Sequence, residues 1–188
     1  MSNYTYRILT QRDDEERITD LLLAVKDELL LPDREAAQRV TNLLFEKGGV
    51  VGGYHGTQLG GILGYFWGDP NEDFTDKRVV FFYVGAILDP YRLTRMFHNG
   101  LSFTLKELQT AGAREIRLQA EAANPYTNKL YGRFARPVAE GKSLRGVPVI
   151  TYVASLTDAL NYLCRGRRSD KTATSPRTVG RPVQFAFN

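Results

Sequence analysis

Residues 79–98 read VVFFYVGAILDPYRLTRMFH. The stretch 79–88 carries no charge and is rich in Val, Ile, Phe and Tyr, the pattern of a strand buried on both faces. Asp89-Pro90 stops it, because proline cannot continue a hydrogen-bonded ladder. From about residue 94 to 109 the period becomes helical, with Phe97, Leu101, Leu105 and Leu108 on one face, and Ala111-Gly112-Ala113 closes the helix. Residues 114–120 then alternate Ile116, Leu118 and Ala120 against Arg117 and Gln119, which predicts another strand. Strand, helix, strand in this order predicts a crossover joining neighbouring parallel strands near the middle of a sheet.

Toward the N-terminus, residues 4–9 alternate as a first strand, and Asp13 and Asp14 offer an N-cap to a helix carrying Ile18, Leu21, Leu22, Val25 and Leu29. Pro32 interrupts that pattern, and a second helix runs from Asp33 to the Gly48-Gly49 pair. Residues 50–54 and 62–67 read as strands around a turn at His55-Gly56-Thr57-Gln58. Residues 68–73 read as a polar loop, whose Asp69, Glu72 and Asp73 could alternatively order a cationic amine. Toward the C-terminus, Asn124 caps a helix with Pro125 at its first position, carrying Tyr126, Leu130, Tyr131 and Phe134. A hairpin over residues 137–156 turns at Arg145-Gly146, and a short helix covers 158–164. The expected architecture is a mixed α/β sheet, an antiparallel N-terminal meander followed by parallel central strands and crossover helices.

With 188 residues, 43% hydrophobic and 24% charged, the chain suits one soluble domain with a real core and excludes wholly disordered and collagen-like classes. No run approaches the ~18 apolar residues of a membrane span, and the polar N-terminus is not a signal peptide. The lone Cys164, with only His55 and His98, excludes an internal disulfide and leaves little for a metal site. The implied compartment is a reducing cytoplasm, or a particle assembled there. The net charge of +4 is uneven: residues 165–188 hold six basic residues against Asp170, making the tail +5 and residues 1–164 −1. The expected division is therefore a domain over 1–164 and a basic tail over 165–188. Val183, Phe185 and Phe187 alternate at the tail's end and read as a short strand with one apolar face. Partners compatible with such a tail are a docking protein, nucleic acid held without sequence preference, and a second copy of the chain; no membrane is implied.

Over about residues 4–156 the order of elements resembles the GNAT acetyltransferase superfamily. Ala86-Ile87-Leu88-Asp89-Pro90-Tyr91-Arg92 looks like that family's strand and V-x-P approach to its cofactor loop. Asn124-Pro125-Tyr126-Thr127-Asn128-Lys129-Leu130-Tyr131 looks like its N-x-x-(small)-x-x-L-Y segment. The resemblance implies that parallel strands splay apart around an acyl-CoA thioester. It also implies that the cofactor's pyrophosphate sits on amides at the start of the crossover helix, as anions do at helix N-termini. Carried over, the acetyl-CoA-binding positions are Leu88, Arg92, Leu93, Thr94, Arg95, Met96, Phe97 and Asn124. Tyr131 would be the acid that protonates the departing thiolate, and Glu121 the nearest substitute for a base, since residues 79–88 carry no carboxylate.

The chain departs from the family where chemistry is most demanding. The family loop reads (Q/R)-x-x-G-x-(G/A); here the two small residues are Arg95 and Phe97. Phe97 also fits the apolar face of the following helix. His98 reads as a surface or helix-packing residue. After Tyr131 the family's Gly-Phe pair is replaced by Ala135 and Arg136. Two readings follow: acetyl-CoA-dependent N-acetyl transfer to an amine, impaired or lost, or a non-catalytic structural or assembly protein, for example a virion component of a tailed phage, docking through residues 165–188.

Overall fold

The structure is a computed structural model that describes residues 4–92, 94–143 and 146–169, the last five by backbone alone. Strand β1 (Tyr4–Ile8) leads into helices α1 (Gln11–Ala24), α2 (Lys26–Leu29) and α3 (Arg34–Lys47). The meander β2 (Gly48–His55), β3 (Gln58–Trp67) and β4 (Val79–Ile87) follows, then α4 (Met96–Thr110), β5 (Glu115–Glu121), α5 (Pro125–Tyr131), β6 (Arg136–Lys142), β7 (Pro148–Ser155) and α6 (Leu156–Ser169). The sheet runs β1-β2-β3-β4-β5-β7-β6. Its pairs are antiparallel except β4–β5, which is parallel across the crossover helix α4. The expected mixed sheet is present.

Local chemistry accounts for the boundaries. Asp33 accepts the Ala36 N–H at 2.8 Å and starts α3, and Asn124 accepts the Thr127 N–H at 3.1 Å and starts α5. Gly112, at φ +96°, lets the chain turn out of α4, a conformation that strains any residue with a Cβ. Eight of the nine β4 residues are buried, as the uncharged run predicts. β4 feeds both core layers. Val80 and Phe82 join Leu101, Leu105, Leu108, Ile116, Leu118 and Tyr131 beneath α4 and α6. Phe81, Tyr83, Val84 and Ala86 join Ile18, Leu22, Leu44 and Phe66 beneath α1 and α3. Each such large side chain contributes ~1.5–3 kcal/mol by leaving water.

Several expectations change. The N-cap of α1 is Thr10, not Asp13 or Asp14. Asp14 is instead fully buried, its carboxylate accepting from Arg7 at 2.6 and 2.9 Å and from the Thr10 N–H at 3.0 Å. The helix expected to run on to Leu29 breaks at Val25 into α1 and α2. Phe134 lies outside α5 and stacks on Tyr162 at 5.5 Å. The hairpin inserts its second strand, β7, beside β5 and leaves β6 at the edge with every residue exposed. α6 continues to Ser169 instead of ending at 164, and Leu156, Ala159, Leu160 and Leu163 form a buried stripe along its first two turns. Among the described residues, no helix is long and apolar enough to cross a membrane. Leu93, Arg145 and the alternating Val183, Phe185 and Phe187 lie outside the described residues.

Candidate functional site

The parallel strands part early. Only Val79–Phe81 of β4 pairs with Glu115–Arg117 of β5. From there β4 runs on to Ile87 and β5 to Glu121 with no ladder between them, so the strands open a wedge at their C-terminal ends. On its other side β4 stays paired with β3, with a register shift that skips Tyr83 between Phe82 and Val84. A crevice beyond the carboxyl ends of parallel strands is where open α/β sheets bind ligands.

The described residues of the loop at the wedge mouth bond to one another and to β3 and α2. Leu88, the first expected cofactor position, donates its N–H to Gly60 at 2.9 Å, continuing the β3 ladder. Asp89-Pro90-Tyr91 forms one 3₁₀ turn, seated on β3 by the Tyr91 hydroxyl, which donates to Gln58 Oε1 at 2.9 Å. Gly60 permits this contact, since a Cβ there would lie 2.6 Å from the Tyr91 ring. Arg92 turns back into the protein. Its Nε donates to the Ile87 carbonyl at 3.0 Å, Nη1 meets Asp89 at 3.0 Å, and Nη2 meets Glu28 of α2. All three guanidinium nitrogens therefore have internal partners. Thr94 Oγ1 donates to the Tyr91 carbonyl at 2.6 Å and accepts the Met96 N–H at 3.1 Å, which occupies the first amide of α4. The Arg95 side chain is exposed, Met96 is buried, and Phe97 packs against the core beneath α4 as its position on the helix predicts.

Tyr131 is 1% exposed, edge-on to Phe134 at 6.1 Å and Tyr152 at 5.6 Å. Burial pushes its hydroxyl well above the ordinary tyrosine value, with Tyr152 adding to the effect. A proton moving from it to a thiolate of ordinary acidity (~8.5) runs uphill. Asn124 Oδ1 is engaged as the cap of α5. Asn128, one turn before Tyr131, ties α5 to the end of β5: its Nδ2 donates to the carbonyls of Glu121 at 2.9 Å and Asn124 at 2.8 Å, and its Oδ1 accepts from the Tyr152 hydroxyl at 2.8 Å. Ala120 points to the same core layer as Tyr131. Strand alternation therefore turns the Glu121 side chain to the opposite face, with Arg117 and Gln119. The expected acid and base are thus near the same strand end on different faces of it.

That opposite face carries an ion-pair cluster centred on Arg117, which the sequence pattern marks only as polar. Arg117 meets Asp69 at 2.6 Å, Glu72 at 2.7 Å and Glu115 at 2.9 Å. Burial alone would lower the affinity of this guanidinium for its proton, and the three carboxylates outweigh it, so the group is held above its ordinary value. Asp69, expected in a polar loop, is 4% exposed, and its carboxylate and that of Glu72 serve an internal cation instead of an incoming amine. Gln119 is buried, with Nε2 donating to Thr151 Oγ1 at 3.2 Å. The alternation over residues 114–120 signals a polar face; nothing in it signals which carboxylates come to that face.

No family model and no curated protein sequence matches the chain. Solved structures do match. A protein assigned to the GNAT acetyltransferase family from Desulfovibrio desulfuricans superposes with a TM-score of 0.66 at 14% identity, over 82% of this chain and 99% of that one. An aminoglycoside 6'-acetyltransferase of type Ii gives 0.64 at 14% identity, over 81% and 97%. A Bacillus subtilis acetyltransferase in complex with CoA gives 0.60 at 14% identity, over 81% and 99%. The chain has the GNAT fold. Such identities speak for the fold and carry no residue's role across. The residues themselves do not fit the diphosphate of a CoA on this GNAT scaffold as they stand. Arg92 is bonded inward, the Met96 amide is taken, and Arg95 and Phe97 stand at the two positions where the family's loop has small residues. A half-open cavity of about 30 Å³ beneath the first turn of α4 is lined by Tyr6, Gly53, Ile87, Met96, Phe97 and Gly100.

Proposed function

We propose that this GNAT-fold chain is one in which acetyl-CoA-dependent acyl transfer to an amine is impaired or lost. The observation that carries the reading is the inward engagement of Arg92 by Glu28, Asp89 and the Ile87 carbonyl, at the first, Gln-or-Arg position of the family's cofactor loop. The capped Met96 amide, the bulk of Phe97 and the deep burial of Tyr131 support it independently. The Arg92 guanidinium and the Met96 amide, two groups that would seat the cofactor, already have partners within the chain.

The experiment is a thermal unfolding series with acetyl-CoA. A cofactor present at about 100 times its Kd adds about 2.7 kcal/mol, about 5–10 °C for a domain of this size. The expected result with millimolar acetyl-CoA is a shift below about 1 °C and no release of CoA thiol in the presence of amines. A shift of several degrees together with thiol release overturns the proposal.

A further inference from the structure

Resting on that reading, we propose that Glu28 is a positioning residue for the wedge mouth: it holds the Arg92 guanidinium away from diphosphate-bearing ligands, so that α2 gates anion binding at the loop.

Glu28 and Arg92 are 64 residues apart in the chain, and their ion pair fastens α2 to the loop after β4. A guanidinium presents the same planar fork to a carboxylate as to a phosphate, so an internal carboxylate competes directly for the donors a diphosphate would use. The two carboxylates on Arg92 differ. Asp89 is 85% exposed, whereas Glu28 is 33% exposed against a guanidinium that is 19% exposed. The Glu28 pair is the less screened of the two and dominates the hold. Counting these three groups alone, the two carboxylates exceed the one cation. Removing the Glu28 charge brings them to neutrality and weakens the hold on Nη2.

The element carrying Glu28 is built to shift. α2 has four residues, set between the break at Val25 and Leu30, which sits in the left-handed region at φ 53° with an exposed side chain. Leu29 alone among its residues is buried. Movement of so short an element costs little of the core, and it would carry the carboxylate off Arg92.

The test is calorimetric titration of the full chain with inorganic pyrophosphate and with acetyl-CoA. Glu28→Gln is expected to bind both at least tenfold more tightly than the wild type. The double variant Glu28→Gln with Arg92→Met is expected to lose that gain, which a general loosening of α2 would not predict. Asp27→Asn removes a charge from an exposed neighbour on the same helix and is expected to leave both affinities within twofold. Should Glu28→Gln not fold, Glu28→Asp draws the carboxylate back by one carbon and is expected to give a smaller gain in the same direction. Unchanged affinities in the Glu28 variants, a gain that survives loss of Arg92, or an equal gain from Asp27→Asn overturns the inference. Tight binding of acetyl-CoA by the wild type would defeat the proposed function instead, and the ratio between Glu28→Gln and wild type would still decide the role of Glu28.

Discussion

Two guanidiniums sit at the two ends of the β4–β5 pair, and they are held differently. At the closed end, Arg117 is gripped by three carboxylates, one of them the 4%-exposed Asp69, beside the last paired residues of the ladder. At the open end, Arg92 is held by the partly exposed Glu28, the more exposed Asp89 and one carbonyl. The first arrangement locks the 68–78 segment onto the sheet. The second closes a site without building much stability into the closure. The contrast separates a cation used for architecture from one restrained at a place where ligands bind in related folds.

Substitutions break this contrast in a definite order. Arg117→Met strands the buried Asp69 carboxylate and is expected to lower the unfolding free energy by about 3 kcal/mol, the scale of breaking a buried ion pair, read from urea midpoints at constant slope. Asp69→Asn keeps two carboxylates on Arg117 and is expected to cost about 1–2 kcal/mol. Arg92→Met is expected to cost less than about 1 kcal/mol, as partly exposed pairs do. If Arg92→Met proves as damaging as Arg117→Met, the distinction between lock and restraint fails.

Alkaline pH sharpens the comparison at the open end. The Tyr6 hydroxyl donates to the Met96 carbonyl at 3.0 Å and fixes the first turn of α4. Burial, aided by Tyr4, pushes this hydroxyl up to about 12 from an ordinary 10.0. Above the ordinary value the unfolded chain releases the proton before the folded one does, so it binds fewer protons and stability falls with rising pH. The contribution is fully present below pH 10 and is lost between 10 and about 12. Denaturation midpoints measured across that window are expected to fall more steeply for the wild type than for Tyr6→Phe. Equal slopes would show that Tyr6 does not hold α4 in this way.

The order of elements was legible because it rests on local signals. The uncharged run at 79–88, the helical spacing from Phe97 to Leu108, the helix start at Asp33 and the cap at Asn124 each report on a few neighbouring residues, and each is present in the structure. The GNAT fold followed from their order. What could not be read is long-range. No periodicity announces that Glu28 meets Arg92, that Asp69 lies under Arg117, or that β7 instead of β6 takes the place beside β5. The misplaced α1 cap has a local cause. Asp13 and Asp14 are good cap residues by composition, but Arg7 draws Asp14 into a buried pair and leaves Thr10 at the helix end. At the candidate site the sequence exposed the bulk of Arg95 and Phe97. That Arg92 is itself consumed emerged only from the folded chain.

The decisive measurement is a crystal of the full chain grown with millimolar acetyl-CoA. The wedge between β4 and β5 is expected to hold no cofactor, with the Arg92 guanidinium still on Glu28 and Asp89. A diphosphate resting on the amides of residues 94–97, with Arg92 swung out to meet it, would show instead that the loop seats the cofactor.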